Sequence, residues 1–264
     1  MHEIDSKLFQ LNKRGIFFGP GESESSFFQR AEAEQNCRIE PPALIESIFD
    51  SIPDWIETIE QSKGLFPWEG AATWIEEKPG GCRSCQIQFK NTRLSRLYPK
   101  EEVLAHEMVH AMRLMFDESR FEEILAYRTS KNKFRRYFGP LFSSSKESKG
   151  FFVGTVISWV IYSAEIVFDI QFFEESILLL PLLLIGFGMM RLIRSQRVFA
   201  SALLNLKKTT SSKLKPLSVL LRLTDKEIEL FAKSSPQEIC AFASDQKEKS
   251  LRWKQIYLAY FLRP

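Results

Sequence analysis

Histidine is scarce in this chain: 264 residues hold three, His2, His106 and His110. No third histidine follows the pair at 106 and 110 to complete a site with it. Neither sign of charge dominates, and a net charge of +3 is too small to suggest a nucleic-acid partner. Cysteine is limited to four residues, with Cys37 and Cys240 isolated and Cys82 and Cys85 joined in CRSC. The opening residues MHEIDSKLFQ carry acids and no apolar run, so no secretory leader is expected. Without that compartment a disulfide framework is excluded, and the cysteines read as reduced thiols. A four-cysteine zinc site is the alternative, although one CxxC is only half of it. There is no internal repeat.

Apolar residues, by contrast, make up 44% of the chain, including 23 phenylalanines, enough for one large core or two small ones. Two of the apolar runs are long. FFVGTVISWVIYSAEIVF, residues 151–168, carries one charge, Glu165, and SILLLPLLLIGFGMM, residues 176–190, carries none. The first matches the length of a bilayer crossing; the second is slightly short, and Arg191 and Arg194 could snorkel to extend it. The connection DIQFFEES holds acids and no base, whereas bases such as Lys131, Arg135, Arg136 and Lys149 precede the runs and Arg197, Lys207 and Lys208 follow them. This is the pattern of a transmembrane hairpin at 150–193, with residues 1–149, residues 194–264 and both termini cytoplasmic. A pair of buried helices in a soluble core is the alternative.

Outside the hairpin, ALIESIFDSIPDWIETIEQ (43–61) has helical spacing interrupted at Pro53. AATWIEE (71–77) and CQIQFK (85–90) read as strands joined by the KPGG turn at 78–81. Ser119-Arg120-Phe121-Glu122 has the form of a capping box, which predicts a helix from Ser119 through Phe138. Thr224 to Glu227 and Ser235 to Glu238 are further capping boxes, the latter with Pro236 at the first helical position, so the last seventy residues should be mostly helical.

The chemistry concentrates in EEVLAHEMVHAMRLMF, residues 101–116. Glu101 and Glu102 suit the first turn of a helix. His106 and His110 are four residues apart, so both imidazoles leave one helix face and can reach one ion. Glu107, between them, stands where a base can take a proton from zinc-bound water. The neighbours Ala105, Met108, Val109, Ala111 and Met112 would bury that turn, and buried imidazoles need partners. A surface helix with a chance Glu-His pair would instead place polar residues at 108 and 109.

VLAHEMVHAM resembles the active-site motif of the zincin metallopeptidases. The order helix, β-hairpin, HExxH helix, glutamate helix over roughly residues 43–135 is similar to the minimal core of their glutamate-ligand branch, the gluzincins. The resemblance implies an α+β fold, a zinc cofactor (Zn2+) and hydrolysis of a peptide or protein substrate. It also implies a cleft-edge strand that pairs with extended substrate, the place expected for CQIQFK. A cytoplasmic catalytic domain with a membrane hairpin is reminiscent of membrane quality-control peptidases, in which the hairpins sit elsewhere. A non-catalytic membrane scaffold that keeps the metal site is the rival reading; an intact Glu107 argues for the enzyme, because a purely structural site has no use for a base.

The third ligand has several contenders. Phe116 occupies the position at which the metzincin pattern HExxHxxGxxH needs its last histidine, which removes that branch. Asp117 reads as part of an inter-helix turn. Glu122 is assigned to the capping box, which leaves Glu123, about 100° further round the helix, as the preferred ligand. Glu123 and Ala126 form an E-x-x-A similar to the glutamate helix of several gluzincins, and Glu229 with Ala232 repeats the pattern beyond the hairpin. Tyr127, one turn after Glu123, can donate to a developing oxyanion, or pack in the core.

Overall fold

The computed structural model describes residues 3–33, 40–65, 70–78, 82–90, 99–169, 177–209 and 215–262. The chain is a mixed helix and sheet structure. In order it forms α1 (Glu3–Lys13), α2 (Glu24–Ala33), α3 (Ala43–Phe49), β1 (Glu57–Glu60), β2 (Ala71–Lys78) and β3 (Cys82–Phe89). Then come α4 (Lys100–Met112), α5 (Glu122–Ala126), α6 (Lys133–Phe138), α7 (Ser145–Phe168) and α8 (Leu179–Thr209). Four helices close the chain: α9 (Pro216–Leu220), α10 (Asp225–Lys233), α11 (Pro236–Lys249) and α12 (Leu251–Tyr260).

Residues 43–61 are not one helix. Asp50 enters the left-handed region at φ 53° and its N–H caps the Glu46 carbonyl, closing α3. Pro53 then lies in the connection, and the β-branched pair Thr58 and Ile59 falls in β1, which pairs parallel with β3. The β-hairpin forms as expected, with Thr73 opposite Ile87 and Lys78 opposite Cys82; Pro79, Gly80 and Gly81 lie outside the described residues.

Sheet order corrects the expectation for CQIQFK. The order is β1-β3-β2, so that segment is the central strand with both edges paired, and β2 is the edge strand. Among the described strands, β2 therefore supplies the open ladder on this side. Gln88 is a polar residue of this strand with its own partners. It is buried, accepting from Trp74 Nε1 at 2.7 Å and donating to the carbonyls of Gln61 and Lys63 at 2.8 and 2.7 Å.

The predicted helix from Ser119 to Phe138 is broken into pieces. Asp117, at φ 50°, turns the chain after α4, and α5 starts only at Glu122 with no side-chain cap. The capping box at Ser119 is not made. After a 3-10 turn at Tyr127–Thr129 the chain extends at Ser130, whose hydroxyl bonds Glu102 at 3.0 Å. Asn132 then caps α6 by accepting from the N–H groups of Phe134 and Arg135. Polar side chains with such local and tertiary partners end helices that an apolar pattern alone would continue.

Helices α7 and α8 are each long and apolar enough to cross a bilayer, and their upper halves expose Trp159, Leu183 and Phe187. Arg191 binds Glu147 at 2.7 Å and the Leu141 carbonyl at 3.1 Å, tying α8 to the base of α7. Below that point α8 turns inward, burying Leu192, Phe199, Ala202 and Leu206 against the C-terminal helices. The capping boxes at Thr224 and Ser235 are both formed.

One apolar core runs from Leu8 in α1 to Tyr260 in α12. Residues before and after the hairpin therefore share it, and buried polar groups pin the union. Arg222 donates to Asn12 Oδ1 at 2.6 Å and to Ser51 Oγ at 2.7 Å. Gln255 accepts from the Phe18 N–H at 3.1 Å and donates to the Ile16 carbonyl at 3.0 Å.

Candidate metal centre

The site is built where α4, α5 and β2 meet. Helix α4 buries Ala105, Met108, Val109, Ala111 and Met112, which fixes its rotation and turns His106, Glu107 and His110 toward a cleft of about 680 Å³. Helix α5 is short, but Ile124, Leu125 and Ala126 are buried behind it, and the small Ala126 allows close packing against α4. That packing brings Glu123 over the two histidines.

The three donor groups converge. His106 Nε2 and His110 Nε2 are 3.3 Å apart, and Glu123 oxygens lie 3.6 Å from each. Ligands on a tetrahedral zinc ion with bonds of about 2.0–2.1 Å are roughly 3.3–3.4 Å apart, so two imidazoles and this carboxylate fit such an ion. Among the described residues this is the one cluster of three or more metal-ligating side chains. Glu229 is elsewhere, paired with Arg120. Asp117 lines the cleft but is exposed and outside the cluster. Cys85 and Cys240 also lie outside it.

Glu122 has a different partner from the one its sequence position suggests. His110 Nδ1 donates to Glu122 Oε1 at 2.6 Å. A carboxylate only accepts, so Nδ1 carries the proton and a neutral ring keeps its lone pair on Nε2, toward His106. This is the carboxylate-histidine arrangement that orients metal ligands. His106 is held by a hydrogen bond to the Ala126 backbone. Both rings are thus fixed from α5.

Three residues with no signal in the sequence complete the surroundings. The Thr73 hydroxyl, on β2, donates to Glu107 Oε2 at 2.8 Å and lies 3.2 Å from the Glu107 carbonyl. Arg113, fully buried, donates through Nη1 to the carbonyls of Leu221 and Leu223 at 2.8 and 2.9 Å. Its Nε faces Glu122 at 3.9 Å and its Nη2 faces Glu118 at 3.6 Å. Gly139 accommodates the Tyr127 ring, since a Cβ there would stand 2.3 Å from it. Tyr127 lines the cleft, its ring edge-on to His106 with centroids 4.7 Å apart.

The electrostatics follow from burial and crowding. Burial drives His106 well below its ordinary 6.5, and His110 and Arg135 add to the effect. Burial also disfavours charge on His110, but Glu123, Glu122 and Glu107 outweigh it and hold that pKa at about 10. Burial raises Glu123; His110 opposes the shift, and Glu107 and Glu122 reinforce it. Three carboxylates around two imidazoles make a site that favours a cation.

No family model matches the chain, and no curated protein or solved structure matches it either.

Proposed function

We propose that this protein is a membrane-anchored zinc metallopeptidase. The observation that carries the reading is the His106, His110, Glu123 cluster, with donors 3.3 to 3.6 Å apart and Glu107 lining the same cleft. His106, His110 and Glu123 would hold a zinc ion, which would supply a Lewis acid and lower the pKa of a bound water. Glu107, aimed by the Thr73 hydroxyl, takes the proton and can return it to the leaving amine. Tyr127 lies on the same cleft and can donate to the oxygen that gains charge. The open ladder of β2, with Ala71, Ala72 and Thr73 at the cleft, offers an extended peptide backbone partners while its side chains face the metal ligands. The zincin-like order of elements supports the same reading, with β2 in the place first expected for CQIQFK.

The membrane anchor rests on the two apolar helices, and the basic residues flanking them favour a cytoplasmic site. Metal analysis of the full chain, with digestion of a peptide library by the native protein and by Glu107→Gln, tests the function. Zinc near one per chain with cleavage only by the native protein is the expected result. Metal bound without cleavage by either protein would leave a binding module or scaffold. No metal in either would remove the reading altogether.

A further inference from the structure

We propose that the polypeptides cut at this site are juxtamembrane segments, which reach the metal centre through a second cavity at the base of α7 and α8; this rests on the metallopeptidase reading. The second cavity, of about 500 Å³, shares Ser119, Glu123 and Ser143 with the metal cleft. Glu123, the carboxylate of the metal cluster, is thus part of the wall common to both. At its far end the cavity is lined by Phe187 and Met190, which are 67% and 51% exposed on the apolar half of α8. The two cavities therefore abut at that wall, with the side of α8 on one and the metal cluster on the other.

Distance argues for the same substrate. Ser144 and Ser148, at the start of α7, line the metal cleft itself. Phe151, which opens the apolar run, is three residues beyond Ser148, about 4.5 Å along a helix axis. A cleft of 680 Å³ is on the order of 10 Å across, so a chain leaving the bilayer beside α8 reaches the metal after roughly five extended residues. A soluble folded protein would have to bring its cleavage site down to the membrane surface. Of the arginines that line the cavity, Arg120 and Arg191 are paired with Glu229 and Glu147 while Arg194 also faces it, so an anionic lipid headgroup is the competing occupant that crosslinking distinguishes. Ser143 and Ser195 remain on its wall as small polar neighbours for a backbone.

The test uses the full chain in phosphatidylcholine vesicles and a reporter library: a single-span helix followed by thirty randomised residues, and the same randomised segment on a soluble carrier. Cuts should fall within about ten residues of the helix end, and the soluble form should be cut at least tenfold more slowly. Met190→Trp, which narrows the cavity away from the metal, should slow the anchored reporter at least tenfold with zinc content unchanged. Cuts spread evenly along the segment, equal rates on both carriers, or a Met190→Trp protein with native rates would overturn the proposal. A binding arm separates this from the catalytic reading: Glu107→Gln carrying a photo-crosslinker at Phe187 should capture the first residues of the anchored reporter. Capture without cleavage by the native protein would defeat the peptidase reading alone, whereas capture of lipid only would defeat the access route.

Discussion

Glu122 and Glu123 are adjacent in sequence, yet one faces the ligand atoms and the other sits behind a histidine ring. Glu123, which the sequence pattern favours, lies 3.6 Å from both His106 and His110, but the reason for favouring it is incomplete. The pattern assigns Glu122 to a capping box, and the structure turns that carboxylate onto His110 Nδ1 instead. The consequence for mutation changes accordingly. His106→Ala, His110→Ala and Glu123→Ala should each abolish stable zinc binding, since two ligands remain. Glu107→Gln should keep the metal and lose activity. Glu122→Ala should retain zinc with affinity about 10–100-fold weaker, the cost of an unoriented ligand. Chelator competition on the five variants measures this, and a Glu122→Ala protein with native affinity would return Glu122 to a purely structural role. A second consequence concerns protons. The carboxylates hold the His110 pKa at about 10, so a metal ion competes there with a proton throughout the neutral range. Binding should release close to one proton from His110 between pH 6 and 8, and apparent affinity should rise with pH across that window. Calorimetry in buffers of different ionisation enthalpy reads the number; binding with no proton release would contradict it.

At the level of elements, periodicity and turn chemistry made the hairpin, α4 and the two C-terminal capping boxes readable in advance. What they could not supply is which strand lies on the outside of the sheet, because pairing order is set by tertiary contact: β1 takes one edge of β3 and leaves β2 exposed beside α4. The same holds for the break between α5 and α6, which depends on Ser130 reaching Glu102, 28 residues away in sequence. Thr73 is the functional product of that sheet order. Nothing in AATWIEE distinguishes it until β2 lies against α4 and its hydroxyl meets Glu107. Thr73→Val keeps the shape and β-branching and removes one hydrogen bond, worth about 0.5–1.5 kcal/mol, or more where the acceptor is charged. Turnover should fall roughly tenfold as Glu107 loses its aim, with zinc content and melting temperature nearly unchanged. A loss of metal in Thr73→Val would instead make this contact part of the scaffold of the site.

For the whole molecule, the long apolar helices α7 and α8 split the sequence into two parts that the fold does not keep apart. The C-terminal helices read from sequence as an appendage; their packing against α1 and α3 is invisible there because the contacts join residues more than a hundred positions apart. Arg222 shows how strong the union is. It is fully buried, its ordinary pKa lowered by that burial, and it donates to Asn12, Phe49 and Ser51 on the N-terminal side. Arg113 makes the reciprocal link from α4 to the Leu221 and Leu223 carbonyls, and the same guanidinium faces Glu122 behind His110. The C-terminal part is thus connected to His110 through two side chains, Arg113 and Glu122. Arg222→Ala removes a buried charge that satisfies several acceptors and leaves a cavity, so it should cost about 3–5 kcal/mol. Because the two parts share one core, that loss should not unfold the C-terminal helices alone. Thermal unfolding followed by zinc release and by helical circular dichroism should give one coincident transition in both proteins, shifted to lower temperature in Arg222→Ala. If the helical signal melted first and zinc stayed bound, the two parts would be separable domains, and the chain of contacts from Arg113 to His110 would carry no stability between them.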